Sequence, residues 1–385
     1  MWPFWTVTAI IFVAMAASST PSPLYGLYQQ RWHFSTVTTT IVYASYAAGA
    51  VATLLVAGSL RAHIGRRQVL LLSVTVLGSS FLLFLIAPGI WALYLARLVQ
   101  GIGVGLLTSS AGAALADLHP RKSLHSAAVA NSAATPAGIA FGAVLSGLAA
   151  EHAPAPLMLP FAALTALSVL GLIGIAAIPV WEPPQRRLRT WRPRRLRVDR
   201  AARRLLLREA PTVIVGWSVV GLYLALGVEL AASVMHTSDR ALSSLVILVV
   251  QGCGGAAPLL WRRSQPHQAS IRGCAAIVAG TGLSITGLLG DHPLMFFAGA
   301  AVTGGGFGLT FMGSLGRVTA AARGGGTVSA FYAIAYVAVS VPIVAVGAAE
   351  SLVGLRDAFT GFGLIVALLA VAAGALTLSS PRPKG

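Results

Sequence analysis

The sequence has 385 residues, of which 56% are apolar and only 10% are charged, and its mean hydropathy is +0.80. Soluble domains carry about 25% charged residues, so this composition excludes a soluble globular enzyme. The formal net charge of +17 arises from 27 lysines and arginines against 10 acidic residues. Apolar runs of about 20 residues, each long enough to cross the hydrocarbon core of a bilayer, recur along the chain. We therefore predict an all-α integral membrane protein.

Breaks of charge, proline and glycine divide the chain into twelve predicted transmembrane helices. Their expected limits are 5–28, 37–59, 68–87, 90–112, 125–149, 157–179, 211–235, 242–261, 271–289, 293–315, 327–348 and 356–378. Six of these helices precede the only long hydrophilic segment and six follow it. We therefore expect an N-terminal six-helix bundle over residues 1–180, a basic cytoplasmic linker over 181–209 and a C-terminal six-helix bundle over 210–385.

Lysine and arginine concentrate at one side of the predicted helices. With the N-terminus in the cytoplasm, 23 of the 27 basic residues fall on the inner side, three fall on the outer side and one, Arg97, lies within a helix. Cytoplasmic loops carry this excess, so we expect a multi-pass protein of the cytoplasmic membrane with both termini inside. A cleaved signal peptide is the alternative, but no basic segment precedes the first apolar run.

The hydrophilic segment Trp181–Arg208 contains eleven arginines, three prolines and two tryptophans. A nucleic-acid-binding segment has this kind of charge and aromatic content. Its position between two sets of six helices instead favours a cytoplasmic linker. Basic amphipathic segments on the cytoplasmic side attract anionic lipids, so we expect membrane lipids as partners here and no nucleic acid.

The two halves of the chain share glycines and a helix start at a constant offset of 203 residues. The matching glycines are Gly101, Gly103 and Gly105 in the fourth predicted helix and Gly304, Gly306 and Gly308 in the tenth. Ser126-Ala127 and Ser329-Ala330 match at the same offset. Small residues at such spacing let helices approach closely. An even number of helices in each repeat makes the repeats parallel, so we expect two pseudo-symmetric bundles.

Three motifs carry a family resemblance. The loop after the second helix reads GSLRAHIGRRQVL from Gly58 to Leu70, the fourth helix contains RLVQG from Arg97, and the fifth contains Thr135-Pro136-Ala-Gly138. With these motifs the chain resembles the Major Facilitator Superfamily over its whole length, and within that family its drug:proton antiporter branch. The resemblance implies a secondary transporter that exports a small organic compound in exchange for protons by alternating access.

Two departures from the family patterns leave other functions open. The acidic position of the loop motif is Ala62, and the glycines that usually flank the proline of the fifth helix are replaced around Pro136. Uptake or facilitated diffusion of a small metabolite is therefore the second interpretation. A membrane sensor or scaffold that transports nothing and recruits partners through the linker is the third.

The loop motif supplies candidate gating residues, namely Gly58, Gly65, Arg66 and Arg67. Its glycines allow a tight turn between helices, and its arginines can bind a carboxylate or helix ends when the inner face is closed. Asp117, at the inner end of the fourth helix, is the carboxylate that we expect to receive Arg66 or Arg67. The alternative is that these arginines only follow the positive-inside rule.

Arg97 and Glu229 are the two ionisable residues that stand out within the predicted helices. A charged side chain there costs several kcal/mol unless it faces water or a partner. Both lie about six residues from the outer ends of their helices, in opposite halves, and the resemblance implies that Arg97 faces the cavity and takes part in coupling. We expect the two to pair when the outer gate closes and to separate when Glu229 is protonated. In the alternative, Glu229 only reaches the outer headgroups.

Aromatic and weakly polar residues supply the candidate substrate contacts. They are Tyr25, Tyr28, Tyr43, Tyr46, Gln100, Asn131, Trp217, Tyr223, Gln251, Phe331, Tyr332 and Tyr336. A pocket of this kind suits an amphipathic or hydrophobic organic compound, including a cation held by ring faces. Lipid contact or helix packing is the alternative for each residue.

The sequence contains no pattern typical of an enzyme. It has no phosphate-binding glycine loop with a lysine, and its histidines lack the spacing of metal ligands. Cys253 and Cys274 both lie within apolar runs, as packing residues do. We therefore expect no enzymatic activity, no cofactor and no metal, and we expect the transporter to be a monomer.

Overall fold

A computed structural model of the chain describes residues 1–180, 200–321 and 325–379. Twelve helical stretches within these residues are long and apolar enough to cross a membrane. The helices are α1 Trp2–Ser19, α2 Tyr25–Trp32, α3 Thr36–Ile64, α4 Arg66–Leu85, α5 Ile90–Leu118, α6 Leu124–His152, α7 Leu159–Ala177, α8 Arg200–Met235, α9 Arg240–Leu260, α10 Pro266–Leu289, α11 Pro293–Ala321, α12 Gly325–Val353 and α13 Leu355–Leu378. The predicted all-α class with twelve transmembrane helices is confirmed.

The first span, predicted as one helix over 5–28, consists of two helices. Because Pro21 has no N–H, it cannot continue the hydrogen bonding of α1, which ends at Ser19. A short 3₁₀ turn over Ser22–Leu24 follows, and α2 begins directly after it. Spans two to twelve are therefore α3 to α13.

Several helices extend beyond their predicted limits. Helix α8 begins at Arg200 rather than at 211, and α12 continues to Val353 rather than ending at 348. The predicted limits stopped at charged residues, but long charged side chains at a membrane boundary can stay helical and direct their charges toward water. Residues 181–199 of the predicted linker lie outside the described residues. Residues 200–209 belong to α8.

The chain divides into two compact units. The first contains Met1–His33 and Ser45–Leu196, and the second contains Phe34–Ala44 and Arg197–Gly385. In the first unit, α1 packs on α6, and α4 packs on α5 and α7. In the second unit, α11 packs on α9 and α10, α13 packs on α10, and α12 packs on α8. The start of α3 is grouped with the second unit and the rest of that helix with the first.

The repeated glycines occupy matching helix crossings in the two units. A Cβ at Gly101 on α5 would overlap the backbone carbonyl oxygen of Tyr46 on α3. A Cβ at Gly304 on α11 would overlap the carbonyl oxygen of Val250 on α9. The second glycine of each triplet approaches α4 or α10, and the third again approaches α3 or α9. The sequence repeat thus corresponds to the same close packing in both halves.

We expect Gly304→Ala to lower the free energy of unfolding by about 1–3 kcal/mol, because the added methyl group forces α9 and α11 apart. Gly252→Ala on α9 is the matched control, since nothing lies within 4 Å of a Cβ at that position. Thermal unfolding of both purified variants in detergent measures the difference. Equal unfolding temperatures for the two variants would contradict close packing at Gly304.

Candidate functional site

Arg97 on α5 is completely buried and makes a network of contacts within the first unit. Its Nε donates to the Tyr25 hydroxyl at 2.8 Å, and its Nη1 donates to Gln100 Oε1 at 2.6 Å and to the Ser18 carbonyl at 3.0 Å. The guanidinium carbon lies 5.6 Å from the ring centroid of Tyr25 and 5.5 Å from that of Tyr46. The structure therefore brings four predicted site residues together, with Tyr25, Tyr46 and Gln100 around the cation of Arg97.

The break in the first span explains why a cation is held at this place. Pro21 offers no N–H to the carbonyl of Ala17, four residues earlier, and Gln100 Nε2 donates to that carbonyl at 2.9 Å instead. The carbonyl of Ser18, in the same last turn of α1, accepts from Arg97. Free carbonyls at a helix C-terminus carry partial negative charge, so the end of α1 stabilises the buried guanidinium.

Of the other predicted residues of the N-terminal half, Tyr28 is close enough to Tyr25 and Arg97 to interact with them electrostatically. Tyr28 is buried and stacks on Trp32, with ring centroids 5.1 Å apart. Asn131 is half-buried on α6, and Tyr43 is buried on the part of α3 that is grouped with the second unit. Gly58 is in α3, but its surroundings lie outside the described residues.

The loop motif between α3 and α4 ties three helix ends of the first unit together. Gly65 has φ of 86°, a conformation that favours glycine and turns the chain sharply into α4. Arg66 forms an ion pair with Asp117 near the end of α5, and Arg67 Nη2 donates to the carbonyl of Ala176 near the end of α7 at 2.9 Å. Asp117 thus supplies the carboxylate although the usual acidic position of the motif holds alanine.

The second unit contains an aromatic cluster formed by α8, α11 and α12. Its members are Trp217, Phe307, Phe311, Phe331, Tyr332 and Tyr336. The ring centroid of Trp217 lies 5.4 Å from that of Phe307, 5.7 Å from that of Phe311 and 6.1 Å from that of Tyr336. Phe307 and Phe311 were not among the predicted site residues, although their spacing of four residues places both on one face of α11.

Gln251 and Trp217 are among the residues of the second unit that bury a polar side-chain atom without a hydrogen-bond partner among the described residues. Gln251 on α9 is 1% exposed, and neither its Oε1 nor its Nε2 is hydrogen-bonded there. The same holds for Nε1 of Trp217 in the aromatic cluster. Buried polar atoms are almost always hydrogen-bonded, so water or a ligand is the expected partner of these groups.

Tyr223 lies in a different environment from the aromatic cluster. Its hydroxyl is 2.7 Å from Ser284 Oγ on α10, and its ring packs on Phe296 and Phe359. This hydroxyl already has a protein partner. The contacts therefore resemble helix packing more closely than an open ligand site.

Glu229 is half-buried on α8, near the end of that helix. The charged groups that act on it are Glu350 on α12 and Arg240 on α9, so the second unit places two carboxylates and one guanidinium in one neighbourhood. Glu350 was not among the predicted site residues, because the predicted eleventh span ended at residue 348. The pairing of Glu229 with Arg97 would join the two units and stays a prediction.

A buried ion pair at the opposite end of α8 was also missed. Arg317 Nη2 on α11 lies 2.5 Å from Glu209 Oε2 and donates to Ser270 Oγ on α10 at 2.9 Å. The predicted helices began after Glu209 and ended before Arg317, so neither residue was counted within a span. The pair ties α8, α10 and α11 together.

Arg356 joins three helix ends on the far side of the same unit. Its Nη2 donates to Asp291 Oδ1 at 2.6 Å and to the carbonyl of Ser233 near the end of α8 at 3.1 Å. His236 Nε2 lies 3.7 Å from the same carboxylate oxygen. The hydrogen bond from Arg356 lowers the pKa of Asp291 below its ordinary value of 3.8.

The acid stability of this unit is expected to depend on Asp291. A carboxylate with a lowered pKa stabilises the fold at pH values above its unfolded pKa, and the contribution is lost as the pH falls through its folded pKa. We expect Asp291→Asn to unfold at a lower temperature than the parent at neutral pH, with the difference shrinking toward about pH 3. Thermal unfolding across this pH range measures the effect. A difference in unfolding temperature that stays constant across this pH range would contradict the role of Asp291.

The described residues form twelve apolar membrane-spanning stretches in two units, with a shared glycine repeat and charged groups buried within the helices. These features define a multi-pass membrane transporter. The Major Facilitator Superfamily pattern matches residues 7–343. The chain belongs to this family, whose members are generally transporters and not enzymes. It is a transporter of small solutes that works by alternating access.

Two solved structures share this fold. The partially occluded, inward-open xylose transporter XylE from E. coli has a TM-score of 0.80 and 13% identity, covering 100% of this chain and 98% of its own. A mutant of the nucleoside transporter NupG has a TM-score of 0.73 and 12% identity, covering 97% of this chain and 99% of its own. No curated protein matches the sequence. Identities this low establish the fold alone.

Proposed function

We propose that the protein exports a small organic compound across the cytoplasmic membrane in exchange for protons, as a drug:proton antiporter-like member of its family. One observation carries this proposal: each unit holds a charged group of opposite sign within a membrane-spanning helix, Arg97 in the first and Glu229 in the second. Their predicted depths are the same. Both termini and the linker over 181–209 face the cytoplasm in this arrangement.

The coupling assigned to the two residues follows from their chemistry. Arginine stays protonated in proteins, so Glu229 is the group that gains and loses the proton. The network of Tyr25, Gln100 and Ser18 holds Arg97 in one position. A negative Glu229 pairs with this fixed cation when the outer gate is closed, and protonation removes the attraction. Glu350 is a second carboxylate that acts electrostatically on Glu229, and we assign to it the relay of protons to Glu229.

The aromatic cluster and Gln251 support an amphipathic organic substrate. Aromatic rings bind an apolar, planar or cationic part of a ligand through their faces and edges. The buried amide of Gln251 and the indole N–H of Trp217 have the hydrogen-bonding capacity to hold its polar part. Tyr28, Tyr43, Asn131 and Tyr223 remain in the proposal as secondary contacts.

The contacts of the loop motif support a latch at the inner face. Arg66 with Asp117 and Arg67 with Ala176 fix the ends of α4, α5 and α7 relative to one another. Charge-assisted bonds of this kind are strong enough to favour one arrangement of helix ends and weak enough to be exchanged. The proposal also includes an anionic lipid bound at the linker and a monomeric protein. Its N-terminal bundle ends at residue 180, and its C-terminal bundle begins at residue 210.

Growth of cells with and without the protein on a panel of toxic compounds and metabolites identifies a substrate. Uptake of that compound into inside-out vesicles then tests the coupling. We expect accumulation that collapses when an uncoupler removes the pH gradient. Flux that only follows the solute gradient and ignores the uncoupler would contradict proton exchange.

Uptake or facilitated diffusion of a small metabolite is the second candidate. Ala62 at the acidic position of the loop motif and the residues around Pro136 favour it, since both depart from antiporter patterns. Indifference to the uncoupler would support facilitated diffusion, and proton entry together with the solute would support uptake. A complete lack of flux, with partners retained on the linker, would instead support a sensor or scaffold.

A further inference from the structure

A polar cavity of about 450 Å³ lies at the junction of α9 and α10, away from the residues assigned to transport. The lining residues that matter here are Trp261, Arg262, Arg263, Ser264, Gln268 and Arg272. A short turn brings them together: α9 ends at Leu260, the carbonyl of Trp261 accepts from the Ser264 N–H at 2.8 Å, and α10 begins at Pro266. The cavity therefore opens where one helix ends and the next begins.

The charge of this cavity is positive. Arg262, Arg263 and Arg272 are all exposed, and in the described parts of the chain none of them pairs with a carboxylate. Arg272 Nη1 donates to Ser264 Oγ at 3.0 Å, which holds its guanidinium beside the turn. The N-terminus of α10 adds partial positive charge at the same place. Three guanidinium groups with a helix N-terminus favour a ligand with phosphate oxygens.

The internal repeat shows how this junction differs from its counterpart in the first unit. In the first unit, the matching junction between α3 and α4 has its own anion, because Asp117 on α5 pairs with Arg66. The residue at the repeat offset from Asp117 is Ala320 on α11. At the same offset Arg66 and Arg67 correspond to Ala269 and Ser270, so the arginines of the cavity occupy other positions of the junction, and none of them has a carboxylate at the position of Asp117.

The surroundings of the cavity identify the source of the anion. Leu260 is 75% exposed and Trp261 is 42% exposed, directly beside the arginines. Exposed leucine next to tryptophan and arginine is typical of the level where lipid tails meet headgroups. We propose that this cavity binds the phosphate headgroup of an anionic phospholipid, whose tails lie along Leu260 and the lipid-facing side of α9. In the predicted orientation this is a lipid of the cytoplasmic leaflet.

Native mass spectrometry of the detergent-solubilised full chain tests the site. Phosphatidylglycerol and phosphatidylcholine with the same acyl chains are the probes, and the apparent affinity of the first bound lipid is measured for each. We expect phosphatidylglycerol to bind more tightly. Replacing Arg262, Arg263 and Arg272 together with glutamine should weaken its binding on the order of 100-fold, from the usual contribution of each basic residue near an anionic lipid.

A second triple variant removes the same charge elsewhere. Arg31, Arg121 and Lys122 are exposed in the first unit, and replacing them with glutamine should leave the tightest lipid in place. An equal loss in both triple variants would overturn the site, because it would mean attraction to net charge alone. Arg272→Gln by itself should weaken binding several-fold, which keeps the test available if the triple variant fails to fold.

Inorganic phosphate distinguishes a headgroup from a free anion. We expect millimolar phosphate to leave bound phosphatidylglycerol in place, because the lipid tails add contacts with Leu260 and α9 that phosphate lacks. Displacement of the lipid by phosphate, or equal binding of the two lipids, would overturn the assignment.

Discussion

Replacing Glu229 with glutamine is expected to abolish transport driven by a pH gradient. Glutamine keeps the size and polarity of the side chain but cannot bind and release the proton, and it removes the negative charge that we assign as the partner of Arg97. Accumulation of the substrate in inside-out vesicles with an imposed pH gradient measures the effect. Exchange of labelled for unlabelled substrate without a gradient should persist, since that exchange needs no net proton movement.

Asp357→Asn is the matched control for this variant. Asp357 is an exposed residue in the first turn of α13 and belongs to the same unit, so its replacement removes the same charge without touching α8. We expect gradient-driven accumulation by this control to equal that of the parent. Parental accumulation by the Glu229→Gln variant would reject Glu229 as the coupling residue.

Replacing Arg97 with lysine is expected to reduce the transport rate on the order of 100-fold even though the positive charge is kept. Lysine has a single ammonium group, which cannot reach the Tyr25 hydroxyl, Gln100 Oε1 and the Ser18 carbonyl from the positions of the guanidinium nitrogens. Each hydrogen bond to a charged group contributes about 1.5–3 kcal/mol, so the loss of one or two accounts for this factor.

Tyr25→Phe separates the hydrogen bond from the ring contact. This variant removes the acceptor of Arg97 Nε but keeps the aromatic ring beside the guanidinium, so we expect a smaller loss of about tenfold. Initial rates in vesicles, normalised to the amount of folded protein, measure both variants. A parental rate for Arg97→Lys would show that charge alone is sufficient and would contradict a positional role for this network.

The fold was predictable because each membrane-spanning helix needs a long apolar run, and such runs can be recognised directly in a sequence. The glycine repeat around Gly101 and Gly304 could be recognised in the same way, since its residues recur at a constant offset between the two halves of the chain. Helix ends were less predictable because charged residues such as Glu209 and Glu350 continue their helices into the boundary region. The break at Pro21 was not predicted, although the two prolines at this place, Pro21 and Pro23, offered a signal.

The candidate site was predictable only in part. Arg97 and Glu229 stand out because charge is rare in an apolar helix, and Gln100 lies one turn from Arg97. The acceptor role of Ser18 could not be predicted, since it depends on the carbonyl groups that a broken helix leaves free. Arg317 was missed for another reason: its partner Glu209 is more than a hundred residues away in sequence, and only the packing of α8 on α11 brings them together.

Simultaneous measurement of solute and proton movement in proteoliposomes tests proton-coupled export most directly. The purified protein is reconstituted with a pH-sensitive dye inside, and the identified substrate is added outside. We predict that the interior pH rises as the substrate enters, and that this rise is absent with the Glu229→Gln variant. Substrate entry with no change of interior pH, or with a fall, would contradict the exchange of substrate for protons.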